Sequence, residues 1–316
     1  MTEVNNEAVV FPGQGAQRPG MGKDFFDEIP VCRETFEEAS ATLGWDVSAL
    51  CFGEDERLNL TQYTQPCLLA VEIAMLRGLR ERFGFSPAYF GGHSLGEFSA
   101  LVASGTFPFA ETLRIVQLRG ELMQKAVPVG IGAMAAVISE DLDAESLFRA
   151  LEGLPIDVAN LNSLHQVVIS GEAKAMPAAE TRIREALGSG KTFRFVPLNV
   201  SAPFHSRFMK AIEEPFAAAL NGIENLLRPD EATRVTSNYT GRFHGDLTGD
   251  IIRCLVRQLS NPVRWTDNMQ CLAGFAGSIY EVGPGRPLRD FFKTSGVACV
   301  AITTFSAAER HFRENK

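Results

Sequence analysis

No two cysteines in this sequence are paired by spacing. The six, Cys32, Cys51, Cys67, Cys254, Cys271 and Cys299, are scattered through 316 residues, with no C-x-x-C and no Cys/His spacing of a zinc site. That excludes a disulfide framework and a structural metal from the reading, and reduced thiols in a cytoplasm are the simplest account. An excess of basic residues is also lacking. The net charge is −8 and the pI is near 5.3, which speaks against nucleic acid as the main ligand. No apolar run reaches the length of a membrane span. The first seven residues, Met1 to Glu7, are polar and acidic and do not read as a signal peptide. Nucleotide motifs fail as well. The glycine-rich Gly13–Gln17 stretch has Arg18 where G-x-G-x-x-G needs its last glycine. Gly190-Lys191-Thr192 has Glu185 where a P-loop needs its first.

What is present begins with Gly92-His93-Ser94-Leu95-Gly96, a G-x-S-x-G pentapeptide. A short run ending apolar at Phe90 precedes it and suits a strand; Glu97–Ala103 follows and suits a helix. A serine on such a turn stands clear of its sheet, and the flanking glycines permit the turn and leave room for a substrate. The helix behind it aims free N–H groups and a positive dipole end at any oxyanion. Read as a mere glycine turn, the same five residues carry no chemistry, so the rest of the chain decides.

Ala8–Phe11 reads as a buried strand breaking into a Pro/Gly loop. Residues 21–44 read as helix interrupted at Pro30 and stopped at Gly44, and Pro66 reads as the start of an apolar helix, Cys67–Leu79. Ala110–Lys125 is an amphipathic helix carrying Arg119. From Pro128 the order becomes β-α-β-β-α-β: strands near 131–138, 156–159, 166–170 and 192–200, helices near 143–152 and 173–187. That order is the signature of a ferredoxin-like unit. The expectation is an α/β protein: a discontinuous catalytic domain, residues 1–127 and 200–316, with a parallel sheet, interrupted by a ferredoxin-like subdomain at 128–199. Further strands are expected at 234–239, 278–282 and 297–302, and helices from Arg207 and over 249–259.

A nucleophilic Ser94 needs a base. Of five histidines, His93 adjoins the serine and points away, His165 sits in a turn of the insertion, His244 lies in a loop with Asp246, and His311 lies in a charged tail. His205 follows a proline-bearing loop after the insertion, in the nucleophile-before-base order of hydrolase-like serine enzymes. A lone histidine is more often structural, and no Asp or Glu stands out to orient this one, so a backbone carbonyl would fix its tautomer. Arg119 reads either as a solvated helix residue or, in its apolar stretch, as a buried guanidinium. A buried one requires an anion, and its planar fork matches a carboxylate.

Together these segments resemble a known family. Val10–Gln17, Thr64-Gln65-Pro66, Gly92–Glu97, Gln117–Gly120, Ala202–Ser206, Asn261–Trp265 and Glu281–Gly285 are similar, in order over residues 8–305, to motifs of the malonyl-CoA:acyl-carrier-protein transacylases. The resemblance implies a hydrolase-like α/β core with a ferredoxin-like insertion, and a ping-pong transfer through a Ser94 acyl-enzyme with His205 as base. Malonyl-CoA would be the donor. The phosphopantetheine thiol of an acyl carrier protein, carried by that partner, would be the acceptor. No bound cofactor, metal, nucleic acid or membrane is implied. It assigns the oxyanion hole to the N–H groups of Gln14 and Leu95, the malonate carboxylate to Arg119, pocket lining to Gln65, and orientation of His205 to the carbonyl of Gln258. Phe204 before His205 resembles malonyl-selective polyketide acyltransferases, which favours a discrete enzyme serving a polyketide synthase over fatty-acid synthesis. Two other classes stay open: a hydrolase that resolves the same acyl-enzyme with water, against which Arg119 speaks, and a non-catalytic docking partner of a synthase.

Overall fold

A computed structural model describes residues 6–128, 130–140, 142–188, 193–200 and 202–314. Met1–Asn5 and Gly190–Thr192, named above, lie outside the described residues.

The strands are β1 (Glu7–Phe11), β2 (Tyr89–Gly92), β3 (Gly132–Ile138), β4 (Ile156–Ser163), β5 (Gln166–Glu172), β6 (Arg194–Pro197), β7 (Thr236–Ser237), β8 (Arg242–Phe243), β9 (Ser278–Val282) and β10 (Val300–Ile302). β10, β9, β1 and β2 form a wholly parallel sheet in that order. A parallel bridge from Phe90 to Val235 continues it towards β7. Helices cover both faces, so β1 reads as an unbroken apolar run, Ala8 to Phe11, fully buried. The helix Thr61–Phe83 is buried nearly all round in its middle, as a helix within the core must be.

Register decides where the site lies. Phe11 stands opposite Gly92, so the loops after β1 and β2 leave side by side from the carboxyl edge of the sheet. That edge is where open α/β sheets bind their ligands.

The second sheet is antiparallel, in the order β4-β5-β3-β6, with helices Ala144–Leu151 and Met176–Leu187 packed on one face. Its chain order is the expected β-α-β-β-α-β, and the protein is an α/β fold of a hydrolase-like parallel core plus a ferredoxin-like unit. The Asn261–Trp265 stretch ties the two together. Leu161 N–H donates to the Val263 carbonyl and Val263 N–H to that of Ala159, both at 2.9 Å, extending the edge strand β4.

Several expectations shift. Pro66 is not a helix start but lies inside Thr61–Phe83. The helix begins earlier because Thr61 and Gln62 pack beneath Gly120, where a Cβ would lie 2.6 Å from the Thr61 carbonyl. The expected helix from Arg207 opens as a 3₁₀ segment, Arg207–Ile212, before the helix Glu213–Asn221. The strand at 234–239 shrinks to Thr236–Ser237, because Asn238 turns away to serve the site. His311, read above in a charged tail, lies on a helix, Phe305–Glu314, with its ring against Tyr280. The break at Pro30 and the stop at Gly44, with φ 76°, are as read. Among the described residues no helix is long and apolar enough to cross a membrane.

Candidate active site

Ser94 sits at φ 53°, in the left-handed region, directly after β2. A non-glycine residue there costs about 1–3 kcal/mol and persists only where its surroundings hold it. Here Asn238 holds it. Its Oδ1 accepts the Ser94 N–H at 2.6 Å and its Nδ2 donates to the Gly92 carbonyl at 2.7 Å, clamping the turn on both sides. The glycines of the pentapeptide permit the turn, as read above, but the room they leave is taken by backbone. A Cβ on Gly92 would fall 2.0 Å from the carbonyl of Gly96, and one on Gly96 would fall 2.1 Å from the Phe11 carbonyl. The turn folds so tightly against its own helix and against β1 that no side chain fits.

His205 is the other non-glycine residue with positive φ among the described residues, at 55°. Its Nε2 lies 2.8 Å from Ser94 Oγ, and its Nδ1 lies 2.8 Å from the Gln258 carbonyl oxygen. A carbonyl only accepts, so Nδ1 carries the proton and Nε2 is left to accept from the serine hydroxyl. Burial, then the neighbouring positive charge of Arg119, push the His205 pKa down to about 3, against the pull of the Gln258 carbonyl. The imidazole is therefore neutral and in the base form throughout the physiological range.

Arg119 is 1% exposed, so the buried alternative holds. It donates from one Nη to Gln65 Oε1 at 2.9 Å, and from the other to Gln258 Oε1 at 2.8 Å and Ser94 Oγ at 3.2 Å. Its guanidinium stacks 5.4 Å from the Phe98 ring centre. Burial lowers its pKa to about 10, which leaves it charged near neutrality. Each of these hydrogen-bond acceptors is uncharged, and Nε has no partner among the described residues. A buried cation without an anion in contact is the arrangement of a site that receives one.

Behind this layer lies a group that the sequence reading missed. Glu97 Oε2 accepts from Gln258 Nε2 at 2.6 Å and from the Asn238 N–H at 2.9 Å, and Oε1 lies 2.9 Å from His244 Nε2. Glu97 stands inside the recognised motif but reads in the sequence only as the start of a helix. Asn238 carries no local signal. His244 was seen only in a loop beside Asp246; it is buried instead.

The Ser94 hydroxyl opens into a cavity of about 470 Å3 shared with Gln14, Gln65, Leu95, Arg119, Phe204 and His205. Met123, Met134 and Phe291 add apolar wall. His93 lines it too, held by Asn162 Oδ1 at 2.8 Å. Of the backbone donors near the serine, the Ser94 N–H is taken by Asn238 and the Gly15 N–H by Gln17 Oε1 at 2.7 Å. No hydrogen bond among the described residues uses the N–H of Gln14 or Leu95. Gln65, Arg119, Ser94, His205 and Gln258 are thus brought into one hydrogen-bonded cluster, with Gln14, Leu95 and Phe204 around the same space. His165 lies apart, its Nδ1 3.1 Å from the Glu140 carbonyl.

Comparison with known proteins agrees with this geometry. The family model described as acyl transferase domain matches residues 8–283. The malonyl CoA-acyl carrier protein transacylase of Escherichia coli K12 is 42% identical, over 90% of this chain and 91% of its own. Among solved structures, that of the malonyl-CoA:acyl carrier protein transacylase of Xanthomonas oryzae superposes with a TM-score of 0.89 at 36% identity, covering 99% of each chain. A malonyl-transacylase solved with a type II polyketide synthase acyl-carrier protein gives 0.88 at 37% identity, covering 98% of this chain and 100% of that one. A serine on a tight strand-to-helix turn, a neutral imidazole on it and a buried guanidinium beside it stand on a fold shared with these enzymes over nearly its whole length: the chain belongs to the acyl transferase family and, within it, to the malonyl CoA-acyl carrier protein transacylases.

Proposed function

We propose that this enzyme moves a malonyl group from malonyl-CoA to the phosphopantetheine thiol of an acyl carrier protein through a covalent Ser94 intermediate, in the cytoplasm. The observation that carries the reading is the charged fork of Arg119, buried 3.2 Å from Ser94 Oγ with only neutral partners. A thioester whose acyl group ends in a second carboxylate supplies the missing anion while its carbonyl carbon meets the serine.

The steps follow from the geometry. Ser94 Oγ attacks the thioester carbonyl and passes its proton to His205 Nε2. The new C–O bond leaves a tetrahedral oxyanion. The unused N–H groups of Gln14 and Leu95 receive it, Leu95 from the N-terminus of the helix Gly96–Ser104. Each such donor contributes roughly 3–4 kcal/mol in comparable sites. The Gln258 carbonyl keeps the imidazolium oriented. Collapse breaks the C–S bond, and the CoA sulfur leaves with the proton from His205. The carrier's thiol then gives its proton to His205, attacks the acyl-serine and reverses the sequence. Gln65 steadies Arg119 for the carboxylate. Residues 128–199 form one wall of the cavity as a separate subdomain in this reading.

Phe204, 6% exposed and adjacent to His205, lines the cavity, and a bulky ring there supports malonate over substituted malonates. We assign the enzyme on that residue to polyketide synthesis as a discrete, trans-acting partner; loading rates on polyketide and fatty-acid carrier proteins separate the two pathways. Intact-protein mass spectrometry after malonyl-CoA, then after phosphopantetheinylated carrier, tests the whole reading. A malonyl adduct on Ser94 that moves to the carrier is expected. An adduct released only as free acid would mean a hydrolase, and no adduct would mean a docking protein.

A further inference from the structure

Arg119 is not the last charge in the buried network. The Gln258 carboxamide lies between two groups of opposite kind: Arg119, which only donates, meets its Oε1, and the Glu97 carboxylate, which only accepts, meets its Nε2. The amide orientation is thereby fixed. It also places a carboxylate one side chain away from the guanidinium. Left to itself, that carboxylate would cancel much of the Arg119 charge and repel an incoming malonate. Both side chains of the Glu97–His244 pair are buried, at 0% and 1% exposure, and their atoms are 2.9 Å apart. The His244 backbone N–H is anchored on the Val235 carbonyl at 2.9 Å, so the ring is placed by the sheet end rather than by a mobile loop. The site described above does not need His244 for proton transfer, since it touches neither Ser94 nor the cavity.

We propose that His244 is a positioning residue that offsets the charge of Glu97, so that Arg119 keeps its full attraction for the carboxylate of the substrate. Glu97 can then remain a carboxylate, gathering Gln258 and the Asn238 backbone, without acting as the counter-ion of Arg119. The inference rests on the reading of Arg119 as the group that binds malonate. Burial alone would discharge the imidazole, but Cys254 and Glu97 beside it outweigh burial and hold its pKa up at about 9. With His244 charged, the three side chains sum to one positive charge facing the cavity; with it neutral they sum to none.

The test compares acylation of Ser94 by malonyl-CoA and by acetyl-CoA, the same thioester without the second carboxylate, as a ratio of kcat/KM values. His244→Gln keeps a donor to Glu97 and removes the charge. It is expected to lower the malonyl-to-acetyl ratio roughly tenfold, the scale of one pK unit of charge interaction. Glu97→Gln in the same background turns the pair into a neutral amide-to-amide contact and is expected to restore the ratio. Glu97→Gln alone removes the opposing charge and is expected to raise the ratio above that of the unaltered enzyme. It carries the test should His244→Gln fold poorly, because a merely structural pair would lower both rates together and leave the ratio alone. An unchanged ratio in folded His244→Gln, or a ratio that does not rise in Glu97→Gln, overturns the proposal. Arg119→Ala is run beside them: if it leaves the ratio unchanged, the malonate reading falls and takes this inference with it.

Discussion

Gln258 acts on His205 and on Arg119 through different atoms. Its backbone oxygen sits 2.8 Å from His205 Nδ1 and its side-chain oxygen 2.8 Å from Arg119. One residue at the end of the helix Thr248–Gln258 thus holds both the imidazole and the cation, and substitution separates the two. Gln258→Leu keeps the carbonyl and with it the neutral Nε2 acceptor. It removes the spacer between Arg119 and Glu97, and the two charges then close on each other. Acylation by malonyl-CoA is expected to fall by at least about tenfold relative to acetyl-CoA, the order for losing a charge-assisted contact. Equal losses for both thioesters would place the carboxamide's effect on the serine instead.

The pKa of His205 makes a prediction about acid. It is depressed from 6.5 to about 3 by burial and then by Arg119. An ordinary histidine base loses activity below pH 6.5; this one keeps its base form down to about 3. Ser94 acylation by acetyl-CoA, whose acyl group does not titrate in this range, is expected to show no acid limb near 6.5. In Arg119→Ala the limb is expected to move up towards neutrality, because the largest depressing cause after burial is gone. His205→Ala is expected to slow acylation by roughly 10²–10⁴-fold. Rates from pH 4 to 8 on the three proteins check both statements, and an acid limb at 6.5 in the unaltered enzyme would mean that the free imidazole is solvated.

Gly92 offers a sharper test of the turn than Ser94 does. An added Cβ would lie 2.0 Å from the Gly96 backbone, which belongs to the buried helix Gly96–Ser104 and has nowhere to go. Gly92→Ala is expected to destabilise the fold by about 2–4 kcal/mol, as overpacking against backbone does. Gly245→Ala, where a Cβ meets nothing within 4 Å, is expected to stay within about 0.5 kcal/mol. Denaturant midpoints on the two variants decide it.

The two glycine sites also show what the sequence could disclose. The tight turn at Ser94, the position of His205 after the insertion and the β-α-β-β-α-β order are local or evenly spaced, so the chain displays them. Arg119 was legible as a residue type but not as a buried one, because burial depends on Gln65 and Gln258, which lie 54 and 139 residues away. The role of Asn238 and the burial of His244 were hidden for the same reason. Each acts on the Gly92–Glu97 turn across more than a hundred residues of chain, and nothing in the local pattern separates a clamp from a loop asparagine. Pro66 misled because a proline inside a helix looks, in sequence, like a proline that starts one.

Asn238 is where that hidden layer meets the nucleophile, and removing it tests whether the turn is held or holds itself. Asn238→Ala frees the Ser94 N–H and leaves the Gly92 carbonyl without its donor, with the Asn238 backbone contact to Glu97 intact. The left-handed Ser94 then loses its restraint. Acylation is expected to fall by on the order of a hundredfold, since small misplacements of a nucleophile are that costly. Stability is expected to fall by about 1–3 kcal/mol for the unpaired buried groups. A variant with full acylation would show that backbone packing at Gly92 and Gly96 alone keeps the serine in place.

Stability against pH brings the two buried histidines into opposition, and the signs can be worked out. His205 is depressed from 6.5 to about 3, so between those values the unfolded chain binds a proton that the fold refuses; stability falls as pH falls through this window. His244 is raised from 6.5 to about 9, so there the fold binds a proton that the unfolded chain has released. Its contribution is fully present below 6.5 and is lost as pH rises towards 9. These two groups together place the stability maximum near pH 6.5. The alkaline loss from His244 amounts to roughly 3 kcal/mol at most, at 1.36 kcal/mol per pK unit. His244→Gln has no such proton to lose, and its unfolding free energy is expected to be flatter than that of the unaltered enzyme between pH 6.5 and 9, with the acid side unchanged. Urea titrations across that range measure the slope directly. Parallel curves for the two proteins would mean that His244 is neutral in the fold, and Glu97 would then lack the counter-charge that leaves Arg119 free for its substrate.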